Sequence, residues 1–274
     1  SGLGEDWVFA YVDTQYRDLD IEARQAAQRY LLSVIEANVQ QNTSQPIEKI
    51  FFQGSAPSTF AEDSPNLYPE AARYYYQITW QPSRGQVVPS DFDPQQTVEQ
   101  IKQLFSAKKQ LAVFFNRRDW SALVADAFAS YLKDDPGLEY IPVFADVPLQ
   151  ALSDQISGFG DDTAILAIAL AEYSVTEHAK LQTLYSNPMA PVFTIFSHRL
   201  NETLGGVVID GKKMGRHMVA VAEGLETDFT QNKILAPRRH AQQLDQFGLT
   251  EADLPAGVQV VNRQDTYFDR EVIG

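Results

Sequence analysis

Scattered histidines, a turn rich in glycine and lysine, and adjoining carboxylates are the residues whose types could do chemistry in this chain. Spacing decides whether they do. His178, His198, His217 and His240 form no HxxxH or HxH pair that would seat two imidazoles on one ion, and there is no cysteine to add a thiolate. No metal site is expected. The stretch LGGVVIDGKKMGRHMVAVAEGL at 204–225 passes from an apolar strand through a glycine turn with lysines into a helical pattern, the order of a phosphate cradle. A Walker loop needs G-x-x-x-x-G-K-[ST] and a dinucleotide fingerprint needs G-x-G-x-x-G, and residues 211–215 satisfy neither. The glycines are read as serving the backbone: Gly205 and Gly206 let a strand bend and approach a neighbour closely, as a hinge. No G-x-S-x-G elbow activates a serine, since QGSAPS at 53–58 is a turn-rich loop, and the pairs Asp134 with Asp135 and Asp161 with Asp162 fall in polar loops. Neither an enzyme nor a cofactor is expected.

The chemistry left is recognition. Open α/β sheets bind ligands at the carboxyl ends of their strands. Those positions hold Asp13 and Tyr16, then Gln53 and Ser55, then Asn116, Arg117 and Trp120, then Glu172 and Tyr173, then Ser197 and His198. The set is polar and aromatic. Arg117 can meet a carboxylate, and Asp13 or Glu172 an amine.

The elements that must position these residues alternate between apolar runs and helical patterns, the signature of an α/β architecture. WVFAYV at 7–12 predicts a first strand, followed by a helix carrying Ala27, Tyr30, Leu31, Val34 and Ile35. KIFFQ at 49–53 predicts a second. RYYYQITW at 73–80 alternates like a half-exposed strand, and PSRG at 82–85 predicts a turn into QVVPS, hence an edge hairpin. From Asp91 the rhythm is regular. Asp93 and Pro94 open a helix with Val98, Ile101, Leu104 and Phe105. Strands are expected at 111–115, 140–144, 163–170 and 191–196, with helices between them, including one at 176–185. The tail from 237 predicts a short helix with Leu244 and Phe247 and a strand at 257–261.

Size and charge bound the function. A chain of 274 residues can hold two separate cores. Its 22 basic and 36 acidic side chains leave a net charge of −14, which argues against nucleic acid and anionic lipid as partners. No run approaches the roughly 18–20 apolar residues of a membrane span, so a soluble domain is expected, with any targeting or anchoring segment lying outside the sequence.

Residues 87–105 echo the opening of 204–225: each starts Val-Val, reaches an aspartate and passes into an amphipathic helix. Reading each as the place where the chain changes lobe gives lobe I as 5–90 plus 206–237, lobe II as 91–205, and a return segment at 238–274. The expected fold is α/β, two doubly wound Rossmann-like lobes with a ligand cleft between them. DDTAILAIALAEYS, NPMAPVFTIFSHRL and LGGVVIDGKKMGRHMVAVAEGL resemble the second half of type 1 periplasmic binding proteins of the ABC-transporter substrate-binding kind. The tail RRHAQQLDQFGLTEADLPAGVQVVNRQDTYFDREVI is similar to the segment that leads from such a sensor domain to a membrane helix in bacterial receptors. The likeness covers roughly residues 91–274. It implies a periplasmic, small-ligand-sensing domain of a transmembrane receptor, a histidine kinase of a two-component system or a diguanylate cyclase, that signals by lobe closure. The implied partners are a small polar ligand and the receptor's own membrane and cytoplasmic parts, with a homodimer as a candidate assembly. A free substrate-binding protein of an ABC importer is the alternative.

Overall fold

The computed structural model describes residues 8–12, 14–76, 78, 80–88, 92–116, 119–135, 137–168, 190–200, 203–225 and 235–261. The chain divides into two compact units: unit 1 is Ser1–Ser90 with Gly215–Asn232, and unit 2 is Asp91–Met214 with Lys233–Ile273.

Unit 2 is built on a sheet of seven strands among the described residues. They are β4 (Gln110–Phe115), β5 (Glu139–Phe144), β6 (Thr163–Ala167), β7 (Val192–Thr194), β8 (Gly205–Ile209), β9 (Leu235–His240) and β10 (Gln259–Val261), in the order β10-β9-β8-β7-β6-β4-β5. From β5 to β8 all neighbours are parallel; β9 runs antiparallel to β8 and parallel to β10. Successive residues of β4 serve opposite faces. Leu111, Val113 and Phe115 pack with Val98 and Ile101 of α3 (Pro94–Leu104) and with Val124 and Phe128 of α4 (Asp119–Lys133). Ala112 and Phe114 pack with Leu152 and Ile156 of α5 (Leu149–Ser157). Burial on both faces is why these strands read as continuous apolar runs. The α3 start follows its sequence signal: Asp93 Oδ1 accepts the Gln96 N–H at 2.8 Å, with Pro94 in the first turn. The expected helix at 176–185 and residues 169–170 of the strand expected at 163–170 lie outside the described residues.

The tail is part of this sheet. β9, LAPRRH, was not legible as a strand, since it carries Pro237 and two arginines and has no apolar alternation. Arg239 is 1% exposed, donates Nη2 to Gln100 Oε1 at 2.7 Å and lies over the Phe193 ring. Burial pulls its pKa down to about 10, so it keeps its charge at neutral pH. β9 is followed by α7 (Ala241–Gln246), whose Leu244 joins the core, while α6 (Gly211–Ala222) leads from β8 out of unit 2 after Met214.

In unit 1 the sheet has, among the described residues, three parallel strands, β1 (Lys49–Gln53), β2 (Ala72–Tyr76) and β3 (Gln86–Val88), in that order. Helices α1 (Ile21–Asn42) and α2 (Ser55–Asp63) accompany it. Two expectations are corrected. Residues 8–12 lie outside any ladder. And β2 and β3 are parallel neighbours, so no hairpin forms: β2 is the middle strand, with Arg73, Tyr75 and Tyr76 all buried. The alternation misled because the terminal nitrogens of the buried polar member find backbone partners. The Arg73 guanidinium donates to the carbonyls of Ala61, Ser64, Pro65 and Leu67 at 2.8–3.1 Å, pinning the loop after α2.

Candidate ligand-binding site

Parallel pairing brings the carboxyl ends of five strands of unit 2 to one edge of the sheet, in the order β8, β7, β6, β4, β5. Backbone bonds carry the register past the strands: Ile209 N–H to Ile195 O, Ile168 N–H to Phe114 O, and Ala145 N–H to Phe115 O. Asn116 follows β4 and is buried, its N–H donating to the Ser121 hydroxyl at 3.2 Å in the first turn of α4. Trp120, one residue earlier in that turn, is half-buried. Its ring lies 6.1 Å from Phe92 edge-on and 5.5 Å from Phe196 in a tilted contact. Phe196 ends the β7 segment, where its N–H donates to Thr194 Oγ1, and Ser197–Arg199 form a 3-10 turn immediately after it. At the end of β5, the Phe144 ring sits 4.8 Å from Phe115.

This edge therefore carries an aromatic shelf, Phe92, Trp120 and Phe196, linked through Trp120 and half-buried against the unit 2 core, with Asn116 following β4 and Ser197 following the β7 segment. Fixed ring faces next to hydrogen-bonding groups suit a small ligand with a flat or apolar part and a polar head. Asp210, at the end of β8, is committed to the fold. Its Oδ1 accepts the N–H groups of Lys212 and Lys213 at 3.0 Å, capping α6, and its Oδ2 accepts Arg238 Nη2 at 2.5 Å.

Of the residues expected to bind ligand, Asn116, Trp120 and Ser197 meet at this edge; His198 is in the same 3-10 turn, with its side chain outside the described residues. Asp13, Arg117, Glu172 and Tyr173 also lie outside them. In unit 1, Gln53 is exposed at the end of β1 and Ser55 opens α2. Gly54 between them has φ +86, a conformation that favours glycine, and no side chain caps the helix. Tyr16 is 2% exposed in the unit 1 core, edge-on to Phe60, and its hydroxyl donates to Asp63 Oδ2 at 3.0 Å. Burial, then the bond to Asp63, pushes its pKa well above the usual phenol value, so it stays a neutral donor. Phe92 and Phe196 were missed. Phe196 closes the apolar run PVFTIF, read as a strand, and Phe92 stands just before the helix cap; both rings pack against the unit 2 core.

No family model and no curated protein matches this chain. Solved structures do. The structure of a substrate-binding protein with adhesive properties from Clostridium difficile, ligand-free and open, aligns at TM-score 0.57 with 12% identity, over 89% of this chain and 84% of that one. An ABC domain in complex with L-Trp from Streptococcus pneumoniae aligns at 0.58 with 15% identity, over 86% of each chain. A conserved domain protein from Vibrio cholerae aligns at 0.54 with 14% identity, over 86% and 84%. The fold is that of substrate-binding proteins. It is the α/β fold of the periplasmic-binding-protein type, and at these identities the likeness is one of fold.

Proposed function

We propose that this chain is the extracytoplasmic small-ligand-sensing domain of a bacterial transmembrane receptor, a histidine kinase or diguanylate cyclase, working by lobe closure. The observation that carries the binding role is the shelf of Phe92, Trp120 and Phe196, with Asn116 and Ser197, at the strand ends of unit 2, the edge at which open α/β sheets take ligands. The receptor role is supported by the likeness of the tail to sensor-to-membrane segments. In this reading Arg117, Glu172, Tyr173 and His198 add charged and polar contacts, and Asp13, Gln53 and Ser55 serve the ligand from unit 1. Closure follows only from a ligand's higher affinity for the closed state; Gly205 and Gly206, expected as a hinge, lie inside β8 between β7 and β9 of the unit 2 sheet, and the chain changes unit after Met214. The named roles of the structural neighbours, a substrate-binding protein and an ABC domain, favour the second reading, a free binding protein serving an importer.

A thermal-shift panel of amino acids, sugars, nucleosides and organic acids tests binding, since a ligand of the folded state raises the Tm. The L-Trp complex of the Streptococcus pneumoniae protein puts aromatic amino acids first in that panel. Trp120→Ala is expected to weaken the responding ligand at least about tenfold, the loss of roughly one stacked ring. A ligand whose affinity is the same in Trp120→Ala and Asn116→Ala would place the site elsewhere. In the gene, an apolar run of about 20 residues after Gly274 separates receptor from free binder.

A further inference from the structure

Helix α1 is the longest element among the described residues, 22 residues or about 33 Å, and the core of unit 1 uses one side of it. Ala27, Leu31, Leu32 and Ile35 pack against that core. The opposite side faces outward: Ala26, Arg29, Tyr30, Ser33, Glu36 and Ala37 are exposed, Tyr30 at 69%.

Spacing on the outer side is regular. Ala23, Ala26, Tyr30, Ser33, Ala37 and Gln40 recur at intervals of three and four residues, the repeat with which two helices lie along each other. No charge interrupts this seam. Glu22, Arg29 and Glu36 line one flank of it, each one residue before a seam position, while Val34 and Gln41 on the other flank are neutral. None of the three charges has an opposite charge three or four residues away, where it could pair along its own helix. Among the described residues Arg29 and Glu36 have no hydrogen-bond or ion-pair partner.

A two-fold axis sets such a face against itself, since both subunits present the same patch. In a parallel pair the charged flank of one helix meets the neutral flank of the other, and the charges stay unpaired. In an antiparallel pair the charged flanks meet. One register along the full helix gives opposite charges across: Arg29 stands by the partner's Glu36, and Glu36 by the partner's Arg29. It also lays Tyr30 over the partner's Ser33 and Ala26 over the partner's Ala37, large on small and small on small. The Ser33 hydroxyl donates to Tyr30 O of its own helix at 2.7 Å, so it leaves no unpaired polar group beneath the ring. A shift of one heptad sets Arg29 against the partner's Arg29 and Glu22 against the partner's Glu36.

We propose that α1 is the interface of an antiparallel homodimer in this register. The proposal does not rest on the ligand reading, since its residues belong to unit 1 and the aromatic shelf to unit 2.

A single helix pair is a small interface, near or below the roughly 1,200 Å² at the low end of specific ones, so the dimer is weak and is measured at high concentration. Sedimentation equilibrium of the whole chain from about 5 µM to about 1 mM is expected to show monomer and dimer in exchange. About 150 mM NaCl screens the repulsion between two chains of net charge −14. Arg29→Glu makes both contacts between positions 29 and 36 like-charged and should weaken the dimer at least about tenfold. Adding Glu36→Arg to it restores opposite charges and should return the Kd to within about threefold of wild type. Ala37→Lys places a long charged chain where the partner's Ala26 must approach, and should leave a monomer. All three positions are exposed and receive good helix formers, so the variants should keep the wild-type Tm. A chain that stays monomeric to about 1 mM overturns the proposal, as does a dimer indifferent to R29E and A37K. A dimer that R29E weakens and E36R does not rescue overturns the antiparallel register. An unresponsive ligand panel beside a charge-rescued dimer sinks the ligand reading alone and leaves the interface standing.

Discussion

His240 sets a pH dependence that can be worked out from its surroundings. It is 6% exposed at the end of β9, and its Nδ1 has no hydrogen-bond partner among the described residues. Burial lowers its pKa below 6.5, so the unfolded chain takes up the proton more readily than the folded one. The stability tied to a neutral His240 is present above the unfolded value and is lost as pH falls through the folded one. Melting followed from about pH 7 to 5 should therefore drop more steeply for wild type than for His240→Phe, and parallel curves would show that the imidazole titrates alike in both states. Arg73 and Tyr16 carry another residue-scale lesson. Each is a polar side chain in the unit 1 core, and its partners, the carbonyls after α2 and Asp63, come together only in the folded chain. Sequence spacing put Tyr16 at a strand end; the packing that takes its ring into the core acts across 47 positions of sequence.

At the scale of elements, β7 and β8 approach so closely that the sheet dictates glycine. A Cβ on Gly206 would stand 1.8 Å from Thr194 O, and one on Gly205, at φ +118, 2.0 Å from Arg238 O. Gly206→Ala is expected to cost more than about 4 kcal/mol in chemical denaturation, or to prevent folding; a variant with wild-type stability would mean the two backbones part easily. Much of this level was legible in the sequence. β4, β5 and α5 fall where their apolar patterns put them, and Asp93 with Pro94 marks the start of α3. What failed did so for want of local signal. β9 is held by pairing with β8 across the excursion of α6, and the parallel setting of β2 and β3 is a matter of where residues 77–85 carry the chain. Trp120, Asn116 and Ser197 could be placed because strand ends can be counted; their aromatic neighbours could not, because ring-to-ring contact leaves no spacing to read.

For the whole molecule, charge is the property that acts on every element at once. A net charge of −14 makes the folded chain repel itself, and salt screens that repulsion. Raising NaCl from about 20 to about 300 mM at neutral pH should raise the Tm by a few degrees; a Tm that falls would show that specific ion pairs such as Arg238 with Asp210 outweigh the general repulsion. An expectation of two lobes was open to sequence reasoning through length and the echo of two strand-to-helix passages. The membership of the tail in the large sheet was not, since β10 and β9 find their places only through β8. That membership bears on biogenesis. When ribosomal synthesis has delivered Gly205–Ile209, the strand that covers its far edge, Leu235–His240, is still unmade, and the chain between them must first supply Gly215–Asn232 to the other unit. Until then a nascent chain displays an uncharged GGVVI edge, the kind of template on which strands of other chains assemble. Closure of this sheet on the ribosome thus waits for residues 235–240, which the strand order sets beside β8.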